Sequence, residues 1–112
     1  MSKRNPLGNI PGLGDMMRQV QKMQEDTERL EEELASARID ASSGGGMVKA
    51  VANGKGDILE IKIDPQVVDP GDVEMLEDLV VSAVREVLEK GAEMKTARLQ
   101  EITGGLSLPG LF

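Results

Sequence analysis

The chain contains no cysteine and no histidine. These two absences exclude disulfides, thiolate nucleophiles, imidazole bases and the common zinc sites, and with them most catalytic chemistry. Aromatic residues are almost as scarce, since Phe112 is the single one among 112 residues. A domain of this length buries only a modest fraction of its surface, so its core is expected to be thin. Association with a second copy of the chain would bury more apolar surface, so we expect the chain to form a dimer.

Long apolar runs are also missing. No stretch approaches the roughly 20 apolar residues of a membrane span. The N-terminal MSKRNPLGNIPGLG is interrupted by Pro6 and Pro11 before any signal-peptide core could form. The sequence therefore predicts a cytoplasmic protein without membrane attachment. Its length predicts one domain over residues 15–103, preceded by a flexible leader over 1–14 and followed by a C-terminal tail over 104–112.

The formal net charge is -7, which by itself argues against binding to a polyanion. The distribution of the charge matters more than its sum. Residues 1–23 carry four basic side chains against one acid, and residues 90–112 carry three against two. The acids are concentrated in residues 24–34 and 69–89. The negative charge is therefore internal, and both outer segments are net positive.

The first long element is predicted to be a helix over residues 15–36, with Asp15 as its N-cap or as an acid in its first turn. Apolar residues recur along it in alternating steps of four and three, interrupted by the polar Thr27. This heptad pattern indicates one narrow seam that is buried against another helix. The seam consists of Met16, Val20, Met23, Leu30 and Leu34.

Three short strands are predicted over residues 38–42, 47–52 and 58–64. The run SSGGG at 42–46 connects the first two. Asn53-Gly54 is typical of a type I′ hairpin turn between the second and third, because both central residues of that turn need positive φ. In the third strand Leu59, Ile61 and Ile63 share one face.

A second long helix is predicted over residues 73–102, capped by Asp72. Its first half has an apolar stripe, including Leu76, Val80 and Val84, that is wide enough to cover a sheet. A helix of about 30 residues spans roughly 45 Å, so its far end is expected to project beyond such short strands. The predicted fold is an α+β, α-β-β-β-α protomer with a small antiparallel sheet and two long projecting helices. Sheet edges and seam both favour an intertwined homodimer.

No group of residues indicates catalysis. The run Gly44–Gly46 lacks the Gly-Lys-Ser/Thr ending of a phosphate loop and does not open a helix. Clustered acids such as Glu31, Glu32 and Glu33 have no histidine partner and are expected to face solvent. We therefore predict no enzymatic activity, no metal site, no cofactor and no small-molecule substrate.

Basic residues mark the ends of the two predicted helices. Arg18 and Lys22 stand four residues apart near the start of the first helix, and Lys95 and Arg98 stand three apart near the end of the second. If the helices pair antiparallel, both sets gather at the same projecting end, and a dimer doubles them. Together with Lys3 and Arg4 of the leader, they are candidate DNA contacts. Ordinary solubilising charges are the alternative.

Five segments, in order along nearly the whole chain, carry a resemblance to a known family. They are MMRQVQKMQ at residues 16–24, GGMVKAVANG at 45–54, EIKIDP at 60–65, MLEDLV at 75–80 and GGLSLPG at 104–110. Together they resemble the YbaB/EbfC family of bacterial nucleoid-associated proteins.

The resemblance implies a homodimer whose paired helices project like the arms of tweezers and grip double-stranded DNA. It also implies a place in the nucleoid and a role in nucleoid organisation and gene regulation. The family's DNA contacts are attributed to the arms, which here carry Arg18, Lys22, Lys95 and Arg98. A protein-interaction or chaperone-like clasp formed by the Met and Leu side chains of the arms stays open as the alternative. It differs from DNA binding in being nearly insensitive to salt.

Overall fold

The computed structural model of the chain describes residues 11–104. The elements in chain order are helix α1 (Leu13–Ser36), strands β1 (Ile39–Ser43), β2 (Val48–Ala52) and β3 (Ile58–Ile63), and helix α2 (Val73–Thr103). This order confirms the predicted α+β, α-β-β-β-α fold. Residues 1–10 of the predicted leader and 105–112 of the predicted tail lie outside the described residues.

The sheet is antiparallel with strand order β1-β2-β3, and α2 packs against β1 and β2. Small side chains dominate their interface: Ala41, Ala50 and Ala52 on the sheet meet Ala83 and Val87 on the helix. Small residues allow the helix axis to approach the sheet closely, so dense packing compensates for the lack of aromatic bulk. The core is thin, as the composition predicts.

Among the described elements, no helix covers the apolar face of strand β3. The register pairs Ala50 with Ile61 and Val48 with Ile63, so these isoleucines face the same side of the sheet as the buried core. Ile58, Leu59, Ile61 and Ile63 are nevertheless 37–46% exposed. Helix α2 is too narrow to cover a third strand. The apolar face of β3 therefore requires a further layer, which residues 11–104 do not supply.

Helices α1 and α2 form an antiparallel pair that extends away from the sheet. Glu33, near the end of α1, bonds to Arg98, whereas Gln19, near its start, shares a groove with Ile102. Leu30 and Leu34 are each 3% exposed at the base of this pair. The molecule measures 85 × 25 × 19 Å. The expectation that the helices project beyond the sheet is confirmed.

The heptad seam of α1 is covered over half its length. Leu30 and Leu34 are buried and Met23 is half-buried, but Val20 and Met16 are 59% and 58% exposed. The polar position is satisfied locally, since the hydroxyl of Thr27 donates to the carbonyl of Met23 at 2.7 Å. The predicted apolar stripe of α2 lies on the sheet, where Leu76, Val80 and Val84 are half-buried against the core.

The two helices begin differently. Helix α1 begins at Leu13, two residues before the predicted start, after a left-handed Gly12 that supplies no side-chain cap. Asp15 is consequently an acid of the first turn. Helix α2 begins as predicted, with the Asp72 carboxylate accepting a hydrogen bond from the backbone N of Met75 at 3.2 Å.

The type I′ turn predicted at Asn53-Gly54 is wrong. Neither residue has positive φ; the left-handed position of this loop is Gly56, at φ 91°. The amide oxygen of the buried Asn53 accepts from the backbone N of Lys55 and of Asp57, at 2.9 and 3.0 Å. Its amide nitrogen donates to the Asp57 carboxylate at 3.0 Å. These bonds stabilise a longer loop, in which the asparagine side chain replaces a backbone turn.

Gly54 is required for a close approach of the loop to helix α1. Its backbone N donates to the carbonyl of Leu34 at 2.8 Å. A Cβ at this position would lie 2.6 Å from Leu34 Cδ2 and 3.1 Å from Leu34 Cα. Because no side chain fits, this glycine anchors the base of the helical pair to the hairpin.

We expect Gly54→Ala to destabilise the fold by about 1–3 kcal/mol, as overpacking of a tight contact does. Urea unfolding followed by circular dichroism measures the change. Gly14→Ala is the matched control, because its nearest neighbour would be 3.9 Å away and alanine is favoured over glycine in a helix by about 1 kcal/mol. Equal stability of the Gly54→Ala variant and the wild type would contradict the close contact.

Candidate nucleic-acid interface

The projecting helical pair consists of residues 13–34 of α1 and 93–103 of α2, and we call it the arm. It carries four of the six basic residues that the sequence nominates for DNA contact. The other two, Lys3 and Arg4, lie outside the described residues. The arm presents these four charges in three different settings.

The first setting is an open groove between the outer parts of the two helices. Lys22 and Arg98 meet there, as the antiparallel pairing requires. Gln19 and the half-buried Met23 lie beside them, while Asp26 and Glu101 form an acidic counterpart. The groove therefore combines two cationic groups with an amide that can hydrogen-bond a phosphate or a base edge.

The second setting lies nearer the sheet, where Lys95 shares a groove with Lys55 of the β2–β3 loop. Lys55 is not among the residues that the sequence nominates. It is distant from both helix ends along the chain, and the contacts of Gly54 with Leu34 and of Asn53 with Ala35 bring its loop to the base of the arm. The hairpin loop thus contributes a basic residue to the base of the arm.

Arg98 is held by acids of both helices. Its Nη2 and Nε donate to Glu33 Oε2 at 2.7 and 3.2 Å, and Nη1 pairs with Glu101. The hydrogen bond to Glu33, followed by the charge of Glu101, raises the pKa of the Arg98 guanidinium above its ordinary value. Arg98 therefore links α1 to α2, and its charge is largely compensated within the arm.

The third setting is the exposed surface at the outer end of α1, where Arg18 pairs with Asp15. By contrast, Lys22 and Lys95 form no ion pair with any residue in the part of the chain that the structure describes. These two lysines are thus the basic side chains of the arm that no acid of the described residues pairs with. They are the side chains best placed to neutralise an external anion.

The acids of α1 are concentrated in the half of the helix nearer the sheet. Residues 25–33 contain six acids against Arg29 alone. Over residues 11–104, no cluster of three or more acids is arranged to hold a metal ion. None of the described helices is long and apolar enough to cross a membrane.

Comparison with known proteins places the whole arrangement in one family. A model of the YbaB/EbfC DNA-binding family matches residues 9–106. The chain belongs to this family. The YbaB/EbfC match includes every helix and strand described above, so the arm and the sheet are both parts of the family's domain. The resemblance noted from the five segments is confirmed.

Relatives within the YbaB/EbfC family align along almost their full length. A nucleoid-associated protein of Acetivibrio thermocellus is 54% identical over 110 residues, covering 94% of this chain and 97% of its own. One from Thermoanaerobacter pseudethanolicus is 48% identical over 108 residues with the same coverage. The crystal structure of an uncharacterized protein from Helicobacter pylori superposes with a TM-score of 0.60 at 26% identity, covering 70% of this chain and 90% of that one.

The link between the helices through Arg98 is testable by hydrogen exchange. We expect Arg98→Gln to accelerate exchange of the α1 amides around Glu33, because the helix loses its bond to α2. Glu101→Gln is the matched control, since it removes the partner within α2 and leaves the bond to Glu33 intact. Equal exchange of α1 in both variants would show that Arg98 does not hold the helices together.

Proposed function

We propose that the chain is a nucleoid-associated protein that grips duplex DNA between the arms of a homodimer. The observation that carries the proposal is the pair of lysines that no described acid pairs with, Lys22 and Lys95, on an arm that extends well beyond the sheet. A projecting arm lets the basic groups reach a duplex while the acidic segment 69–89 stays with the body. Membership of a DNA-binding family and the names of the relatives support the same function.

The mechanism rests on phosphate contacts. Each lysine that neutralises a phosphate releases condensed counterions, which favours binding at low salt and carries no sequence information. The outer end of α1 carries Arg18 and Lys22 on one side of the helix, and this side can face the major groove, which is roughly 12 Å wide. Gln19 and Gln21 on this end supply amides for modest base preference. Few cationic groups per protomer imply modest affinity, so several dimers are expected to bind along one DNA.

The homodimer is proposed from the uncovered face of β3. Four large aliphatic side chains, Ile58, Leu59, Ile61 and Ile63, stand exposed on a strand that is also a sheet edge. An exposed apolar edge strand tends to pair with another chain, because its backbone N–H and C=O groups are unpaired. A second copy supplies an identical apolar strand, and two-fold symmetry lets one such patch satisfy the other. The two arms of the dimer would then hold the duplex, in the nucleoid, with effects on its organisation and on gene expression.

The DNA proposal predicts which charges matter. Lys22→Gln and Lys95→Gln are each expected to lower the slope of log affinity against log salt by about 0.9 per contact, or roughly 1.8 for a dimer. Arg18→Gln and Arg98→Gln are expected to change it less, because acids already pair with both arginines. Titration of a random-sequence duplex at several salt concentrations, followed by fluorescence anisotropy, measures the slopes.

Lys62→Gln is the control for net charge, because this lysine lies on the sheet with its side chain 67% exposed. Its slope should equal that of the wild type. If Lys62→Gln weakens binding as much as the arm variants do, the contact depends on total charge and the arm is not the interface. If the wild type shows no binding at low salt, DNA gripping is wrong.

The dimer has its own test. Ile61→Glu is expected to give monomers in light scattering, because it places a charge at the centre of the β3 face. Val81→Glu, on the exposed side of α2, is expected to remain dimeric, and circular dichroism verifies the fold of both. Dissociation by Val81→Glu instead would move the interface to α2.

An apolar clasp for a partner helix or an unfolded chain is the second candidate. It is favoured by the exposed Met16, Met17 and Val20 on the arm, since methionine-rich surfaces adapt to varied partners. The salt titration separates the two functions, because an apolar contact weakens little as salt rises.

A further inference from the structure

The seam of α1 continues beyond the helix that covers it. Helix α2 reaches as far as the groove lined by Gln19, Lys22 and Met23, where Ile102 is its last large apolar residue. Beyond this point Val20, Met17 and Met16 are 58–63% exposed. With the half-buried Leu13 they form an apolar stripe on the outer end of α1, which we call the tip stripe.

The chain that follows α2 leaves the helix beside this stripe. Helix α2 ends at Thr103 with Gly104 as its C-cap, one residue after Ile102 contacts the Gln19–Met23 groove. Residues 105–112 therefore start where the cover of the seam stops. Eight residues reach about 26–29 Å when extended, whereas the ten-residue step from Leu13 to Met23 rises only about 15 Å along a helix. The segment is long enough to run along the whole tip stripe.

The composition of that segment suits an apolar surface. Residues 106–112, LSLPGLF, contain three leucines and the chain's single aromatic residue, and no charged side chain. In a protein with 29% charged residues, an uncharged stretch with four large apolar side chains is expected to be buried rather than exposed to solvent. A segment tethered next to its binding surface also has an effective concentration in the millimolar range, which favours it over a free partner.

We propose that residues 106–112 pack on the tip stripe of the same chain, with Phe112 and the leucines covering Met16, Met17 and Val20. These residues cover the part of the α1 seam that lies beyond the end of α2. At 100° per residue, Arg18 and Lys22 lie on the opposite side of α1 from the stripe, so the packed segment leaves both basic side chains accessible. The DNA-facing and apolar sides of the tip are thereby separated, and the methionines are shielded from solvent and from other chains.

The single aromatic residue makes the test specific. Because Phe112 is the only aromatic residue in the chain, any ring-current shift of a methyl resonance has one intramolecular source. In full-length protein labelled with ¹³C at the methionine methyls, Phe112→Leu is expected to move the resonances of Met16 and Met17. Met47 and Met75 lie on the sheet side of the molecule and serve as controls in the same spectrum, where no change is expected. Met16→Leu and Met17→Leu assign the signals.

Unchanged Met16 and Met17 resonances in Phe112→Leu would overturn the proposal. A second variant, Leu108→Asp, places a charge in the segment and is expected to accelerate peroxide oxidation of Met16 and Met17 without affecting Met75. Equal oxidation rates in this variant and the wild type would also count against packing on the stripe.

A mixed sample distinguishes contact within one chain from contact between chains. Labelled Phe112→Leu protein is mixed with unlabelled wild type and allowed to exchange subunits. If the contact is within the chain, the labelled methyls keep the shifts of the variant. Reappearance of the wild-type shifts would show that the segment reaches a neighbouring chain, and the proposal would then be wrong.

Discussion

The close packing of α2 on β1 and β2 is the contact on which the rest of the structure depends. Alanines on both surfaces bring the helix near the sheet, and Val48 and Val87 are completely buried between them. The same helix continues beyond the strands and becomes half of the arm. A 31-residue helix on strands of five and six residues must project. The body and the arm are therefore consequences of one element whose length exceeds the surface it covers.

Helix α2 leaves apolar surface uncovered at two places. It is too narrow to cover β3 as well as β1 and β2, and the isoleucines of that strand stay exposed. Beyond its end the seam of α1 loses its cover, and Met16 and Val20 stay exposed. Both surfaces consist of apolar side chains that α2 does not cover. A second copy of the chain suits the first because it supplies an equal apolar strand, and the segment after α2 suits the second because it emerges there.

The basic side chains of the arm fall into two groups, those paired with acids and those without such a partner. Arg98 and Glu33 connect the two helices, so the guanidinium of Arg98 serves the internal structure of the arm. Within residues 11–104, Lys22 and Lys95 have no ion-pair partner, which leaves their charges available for an external polyanion. Lys55 joins them only through the hairpin loop. The arm itself carries the six acids of residues 25–33. Its two lysines are nevertheless unpaired among the described residues, because Asp15, Asp26, Glu33 and Glu101 pair with arginines.

The sequence alone determined the order of the elements, the starts of the strands within a residue, the Asp72 cap of α2 and the resemblance to the YbaB/EbfC family. These depend on local periodicity, capping chemistry and motif order, all of which are written along the chain. Tertiary structure decided the rest. It placed Asn53 in a side-chain-stabilised loop and required glycine at position 54 for contact with Leu34. It also brought Lys55 to the arm and committed Arg98 to Glu33. Apart from the hydrogen bonds of Asn53 to residues 55 and 57, which are local, each of these contacts joins segments far apart in sequence, so the local pattern of the chain does not specify it.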